Sequence, residues 1–213
     1  MGCELPLKVM QRLGHPEFPT HLHEFIYYHI ISDSSSNASN SIKFNLPTFN
    51  DKLNIFTSAV SIFFAPSDLS GIGGMHCECI CAMPSWQRGP LWYDPVLINA
   101  DDDKEGLYGM EVAHVWLFFS FTYNDCTYPC AYIDWYTHEG EGPDADMGMW
   151  IVSKGIGCST VIHLDSIIHC THLIPVYGQP FLPSGLTSSN SLDVFSSHYV
   201  SKYADQQMFK ILG

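Results

Sequence analysis

The sequence predicts an α+β domain that is mainly β, and three observations carry that expectation. Of its 213 residues, 46% are hydrophobic and 14% aromatic, which suffices for one sizeable core at a length typical of a single domain. Between about 111 and 177, apolar residues recur with a period of two, the signature of strands with a buried face. On either side the apolar spacing is helical, so a β unit is expected between flanking amphipathic helices.

Taken in order, residues 1–31 form an N-terminal helical segment. Leu22, Phe25, Ile26 and Ile30 share one helical face after Pro19-Thr20, which predicts a helix from about 20 to 31. Residues 32–45 begin with ten small polar residues, Ser32 to Ser41, and form a Ser/Asn-rich linker with no face to bury. In 46–106, Leu53, Phe56, Val60, Phe63 and Phe64 make a stripe that fits an amphipathic helix ending before Pro66, although the β-branched and aromatic content also suits a strand. The remainder of that segment, rich in Gly and Pro, reads as loops with one short strand at 96–98.

The segment 107–178 holds the clearest pattern. Ala113, Val115, Leu117, Phe119 and Phe121 share one parity, and Asn124-Asp125 turns this strand into a second at 127–137. Further strands are expected at 149–152, 161–164 and 172–176, with one helical turn at Asp165-Ser166-Ile167 before the last. Five short strands with a helical turn before the fifth are how a small SH3-like or BAH-like β-barrel is built, and closure would remove the exposed edges. In 179–213, Leu192, Phe195, Tyr199 and Tyr203 follow Ser191 at helical spacing and predict a linker and a C-terminal helix.

Charge narrows the function classes. Nine Lys plus Arg against 22 Asp plus Glu leave a formal net charge of −13, and the cations form no cluster, so direct nucleic-acid binding is not expected. No apolar run approaches the roughly 20 residues of a membrane span, and no basic start leads into an apolar stretch. An intracellular protein of nucleus or cytoplasm, with its eight cysteines reduced, is the expectation. The acidic run Asp101-Asp102-Asp103-Lys104-Glu105 reads as a solvated loop.

Several longer words carry a family resemblance: Phe64-Ala65-Pro66-Ser67-Asp68-Leu69-Ser70-Gly71-Ile72-Gly73-Gly74-Met75, Tyr128-Pro129-Cys130-Ala131, Gly148-Met149-Trp150 and His163-Leu164-Asp165-Ser166-Ile167. With His172-Leu173-Ile174-Pro175-Val176-Tyr177-Gly178 and Ser191-Leu192-Asp193-Val194-Phe195, the chain resembles, from about 16 to 210, the C-terminal region of Plavaka-type transposase-like proteins of mushroom-forming fungi. The resemblance implies a mobile-element protein of the CACTA-like superfamily, whose DNA-cleaving RNase-H-like acidic triad lies upstream of the matching region and outside this sequence. Catalysis therefore does not transfer with the likeness. Where Arg-rich wording is expected from the family, this chain has His76, Cys77, Cys79, Cys81, His114, Trp116, Gln87 and His169, and only Arg12 and Arg88 remain. Single C-to-T transitions convert CG-type Arg codons to Cys, Trp, His or Gln codons, so the set has the pattern of mutational decay in a silenced repeat.

Four constellations offer chemistry. His76-Cys77-Glu78-Cys79-Ile80-Cys81 presents soft zinc ligands, with the three cysteines on one side of a strand, but C-x-C-x-C lacks the two-residue gap of a structural zinc turn. His169-Cys170-Thr171-His172 juxtaposes thiol and imidazole without a third orienting group, and adjacent strand residues face opposite sides. Ser70-Gly71-Ile72-Gly73-Gly74 lacks a P-loop lysine and reads as a turn. Tyr132, Asp134, Tyr136 and Trp150 lie on neighbouring predicted strands and form a candidate binding surface for a methylated ammonium. The expected function is a noncatalytic accessory or interaction module, or a decayed relic of one, without cofactor, with a protein or chromatin as its partner. The alternative is a zinc-binding or thiol-dependent enzyme using the Cys/His segments.

Overall fold

A computed structural model describes residues 2–31, 49, 51–65, 72–85, 89–104, 106–178, 181–182, 184–187 and 190–212. The linker expected at 32–45, and part of the glycine-rich turn before Met75, lie outside the described residues. No helix among the described residues is long and apolar enough to cross a membrane.

The chain opens with strand β1 (Gly2–Glu4) and helix α1 (Pro6–Leu13), which starts at a proline and stops at Gly14 in a left-handed conformation. Helix α2 (Phe18–Phe25) runs on as a π-helical turn over Ile26–Ile31, close to the bounds expected from sequence. The helix expected over 53–64 is instead two strands, β2 (Leu53–Phe56) and β3 (Ser58–Phe64). Leu53 and Ile55 alternate into the core on β2, whereas β3 turns Val60, Ile62 and Phe64 outward, so the helical stripe combined residues that face opposite ways.

Strand β4 (Met75–Met83) pairs antiparallel with β3 where loops were expected, and its edge carries the two-residue β5 (Trp92–Tyr93). Strand β6 (Pro95–Asn99) matches the strand expected at 96–98. Gly109 lies against the carbonyl oxygens of Asp101 and Lys104, leaving no room for a Cβ, and Ala100 and Asp101 donate N–H bonds to its own carbonyl. This closes Asp101 to Lys104 of the acidic run as a surface turn.

Strands β7 (Met110–Tyr123) and β8 (Cys126–Glu139) form the long hairpin, with Asn124 and Asp125 both at positive φ, as a tight turn of this hand requires. The two strands expected at 149–152 and 161–164 are one continuous strand, β9 (Ile151–His163). Its ladder with β8 jumps from Asp134↔Ser159 to Tyr136↔Lys154, so Gly155 to Cys158 bulge out rather than divide two strands. Gly155 sits where a Cβ would come within 2.8 Å of the Trp135 carbonyl oxygen, and Gly157 takes a φ of +68°. A helical turn at Leu164–Ser166 precedes β10 (Ile167–Cys170) and β11 (Leu173–Pro175). The long terminal helix is replaced by a short helix α3 (Ser191–Val194), strand β12 (Ser197–Val200) and helix α4 (Gln206–Leu212).

One sheet runs β1-β2-β7-β8-β9-β12-β11, and β6 adds to β7 while pairing with β10 on its other side. The boundaries drawn at 46, 107 and 179 thus cut through a single hydrogen-bonded sheet. Its strand path does not close on itself. The ends, β10 and β11, are joined by Thr171-His172, with the Thr171 N–H donating to Pro95 O and the His172 carbonyl accepting from Ser201 N–H.

Both faces of the β7–β8 hairpin are covered. Leu117, Phe119, Phe121, Cys130 and Tyr132 pack against Val9, Phe18, Leu22 and Phe25 from the helices. On the opposite face Ala113, Val115, Phe118, Ala131 and Ile133 pack with Ile80 and Ala82 of β4 and with Val96 and Ile98 of β6. A third cluster joins Val112, Tyr136, Trp150 and Val152 to Met208 and Leu212 of the terminal helix. The outer face of the β3–β4 hairpin exposes Val60, Ile62, Phe64, Met75, Cys77 and Cys79.

Phe121 is fully buried, 5.1 Å from the Phe49 ring and 5.4 Å from Tyr128, whereas Ile62 is 68% exposed. Phe121→Ala is expected to cost about 3–5 kcal/mol in chemical denaturation, and Ile62→Ser to stay within about 0.5 kcal/mol of wild type.

Candidate functional site

The β7–β8 ladder slips once. Val115 pairs with Ile133 and Leu117 with Tyr132, so Trp116 is an extra residue on β7, a β-bulge. The bulge falls between two partners on the other edge of β7, since β6 pairs as far as His114 and β2 begins at Phe118. It also switches the buried parity. Ala113 and Val115 share a face with Phe118, not with Leu117, Phe119 and Phe121, which corrects the unbroken stripe read from the sequence.

Around the bulge lies an open cleft of about 410 Å³, walled by Pro90 to Pro95, by His114 and Trp116, by the Cys170 to Leu173 corner and by Ser191 to Asp193. The Trp116 ring is 5.2 Å from Tyr93, 4.7 Å from His114 and 5.0 Å from His15. Asp94 fixes the aromatic rim: its Oδ1 accepts from Trp92 Nε1 at 2.7 Å and its Oδ2 from the Cys81 N–H at 2.7 Å. Burial raises the Asp94 pKa, and these two hydrogen bonds oppose the rise.

Two polar atoms of this wall are buried without a hydrogen-bond partner, His114 Nδ1 and Trp116 Nε1. His114 Nε2 lies 3.1 Å from the Tyr93 carbonyl, which can only accept, so Nε2 carries the proton and Nδ1 presents a lone pair. Burial lowers the His114 pKa and keeps the ring neutral. A buried donor and a buried acceptor without partners are costly in a folded protein unless a ligand or water meets them. From β9, the Lys154 ammonium reaches over the cleft wall to 5.8 Å from the Trp116 centroid and 2.7 Å from Asp193 Oδ1.

The surface expected at Tyr132, Asp134, Tyr136 and Trp150 is not formed. Tyr132 is wholly buried against the helices, 5.0 Å from Phe18, with its hydroxyl 3.3 Å from His21 Nδ1. Tyr136 and Trp150 are buried in the C-terminal cluster, and Asp134 accepts from Ser159 Oγ. A surface there needs one face of β8 to meet solvent, and both faces are covered.

The cysteine segment is placed as a strand, with Cys77 and Cys79 exposed, Cys81 buried, and His76 on the opposite parity. Among the described residues, no group of three or more His, Cys, Asp or Glu side chains is arranged to hold a metal ion. In the second segment, Glu78 Oε2 lies 3.1 Å from His169 Nδ1 and accepts the Cys170 N–H at 2.9 Å, tying β4 to β10. The Cys170 thiol points to the Thr171 carbonyl at 3.8 Å, and burial followed by nearby carboxylates raises its pKa strongly, which disfavours a thiolate nucleophile.

Nothing in the sequence singles out the cleft residues Trp92, Tyr93, Asp94 and Asp193, or Lys154 at the cleft's edge. Their only local signal is the density of aromatic and acidic residues in Trp92-Tyr93-Asp94-Pro95. Comparison with protein-family models, with curated proteins and with solved structures finds no match.

Thiol accessibility tests the cysteine placement. Cys3, Cys77, Cys79, Cys126 and Cys158 are expected to alkylate rapidly in the native state, and Cys81, Cys130 and Cys170 only on unfolding, as read by peptide mass mapping. Fast native modification of Cys170 would contradict its buried environment.

Proposed function

We propose that the chain is a noncatalytic interaction module whose Trp116 cleft takes a basic segment of a protein partner. The observation that carries this reading is the meeting, in one cleft, of the Trp92, Tyr93 and Trp116 rings with Asp94 and Asp193 on a chain of net charge −13. Aromatic faces attract cations, and carboxylates at the rim add charge complementarity and steer approach. The same acidity opposes phosphate backbones, which favours a protein partner over a nucleic acid.

The resemblance to the C-terminal region of Plavaka-type transposase-like proteins supports an accessory role, because the cleaving triad it implies lies outside this sequence. A lysine-rich tail of a chromatin protein fits the chemistry of the cleft. We further read the sheet as an SH3-like or BAH-like barrel. Support comes from the chain over 167–175, whose first half pairs with β6 and whose second half pairs with β12. The zinc- or thiol-enzyme alternative has no observation in its favour among the described residues.

Calorimetric titration of the full chain with a lysine-rich peptide and a glutamate-rich control tests the reading. Binding of the lysine-rich peptide alone, weakened by salt, is expected. Trp92 is 48% exposed, so Trp92→Ala is expected to leave the fold intact and weaken binding by about fivefold to tenfold, in line with the loss of one cation-π contact. Equal failure of both peptides would leave a decayed relic as the better account.

A further inference from the structure

The cleft already contacts one ammonium group, and it is the protein's own. Trp116 and Asp193 line the cleft from different elements, one on the β7 bulge and one on helix α3, and Lys154 of β9 joins them. Its ammonium lies 5.8 Å from the indole centroid, within the roughly 6 Å reach of a cation-π contact, and 2.7 Å from the Asp193 carboxylate. The Lys154 side chain is 34% exposed, so the pair is held at the surface rather than locked in the core. An exposed pair of this kind contributes little to stability. It is therefore a contact that a ligand can displace.

Building on the proposed function, we propose that the Trp116 cleft is a methyl-lysine site whose Trp116 ring and Asp193 carboxylate Lys154 engages from the cleft's edge, and that a methylated lysine of the partner binds by displacing the Lys154 ammonium. Intramolecular tethering gives Lys154 a standing advantage over any unmodified lysine arriving from solution, since both offer the same group and only the guest loses translational freedom. A guest prevails by making contacts that Lys154 does not. Methyl groups on the ammonium keep the charge, reduce the cost of removing it from water, and add dispersion contact with several rings at once. The cleft offers such rings in Trp92, Tyr93 and Trp116. Its acids suit a cation that has lost some or all of its N–H donors, because long-range attraction to Asp94 and Asp193 does not depend on a hydrogen bond.

The displaced lysine has an alternative state. Released from Trp116, Lys154 remains within the acidic surround formed by Asp193 and, on β8, Asp134, whose charges also act on the neighbouring histidines. The exchange costs no buried charge. Competition from Lys154 thus weakens the binding of an unmodified basic tail more than that of a methylated one.

The test uses the full chain with two probes, a lysine-rich peptide carrying one trimethyl-lysine and its unmodified twin, and three proteins: wild type, Lys154→Met and Lys154→Arg. Lys154→Met removes the internal cation while keeping an apolar stem, and is expected to tighten trimethyl-peptide binding by about threefold to fivefold. Lys154→Arg retains a cation over the ring and is expected to bind as wild type does. Wild type is expected to favour the trimethyl peptide over its twin. Equal trimethyl-peptide affinity in wild type and Lys154→Met would overturn the internal-occupant proposal while leaving the basic-segment reading intact. Equal affinity for the two peptides in wild type would overturn the methyl selectivity. Failure of both peptides with all three proteins, each shown folded by circular dichroism, would overturn the basic-segment reading as well.

Discussion

The extra residue in β7 governs most of what lies around it. An antiparallel ladder fixes which side chains share a face, and one inserted residue exchanges the faces from that point onward. On this chain the insertion at Trp116 sends Ala113 and Val115 to the same side as Phe118, against the β3–β4 hairpin, and sends Leu117, Phe119 and Phe121 toward the helices. Without it, Phe119 and Phe121 would belong to the face that holds Val115, and Phe18 and Phe25 would lose the rings they pack on. The bulge also occupies the gap between β6 and β2 on the outer edge, where no strand partner covers the indole.

A second irregularity completes the site. The bulge over Gly155 to Cys158 in β9 follows Lys154 directly, and its two glycines meet separate demands, a close approach to the Trp135 carbonyl and a positive φ. Together the two bulges set the indole and the ammonium 5.8 Å apart, although they lie on strands separated by β8. Regular strands would leave both side chains within the pleat. The cleft is thus a property of register, and the surrounding acids act on a geometry that the backbone has already set.

That dependence explains what was legible in the sequence. The β7–β8 hairpin was legible because alternation and Asn124-Asp125 report local geometry directly. The mainly β character followed from it. The stretch over 53–64 was ambiguous because Val60, Ile62 and Phe64 are apolar yet exposed, which defeats any reading that places apolar residues inward. The sequence reads the tyrosines of β8 as a surface because nothing in Tyr132 or Tyr136 announces that α2 covers one end of their shared face and the C-terminal segment covers the other end. A bulge has no compositional mark, so the residue most consequential for the site was invisible to periodicity.

Nuclear Overhauser spectroscopy on selectively labelled protein addresses the bulge and its consequence together. The account predicts cross-strand contacts Val115 to Ile133 and Leu117 to Tyr132, with Trp116 indole protons close to the Lys154 ε-methylene and to the Tyr93 ring. An uninterrupted ladder in which Trp116 pairs with Tyr132 and its indole shows no contact with Lys154 would contradict it, removing the cleft and the binding role assigned to it.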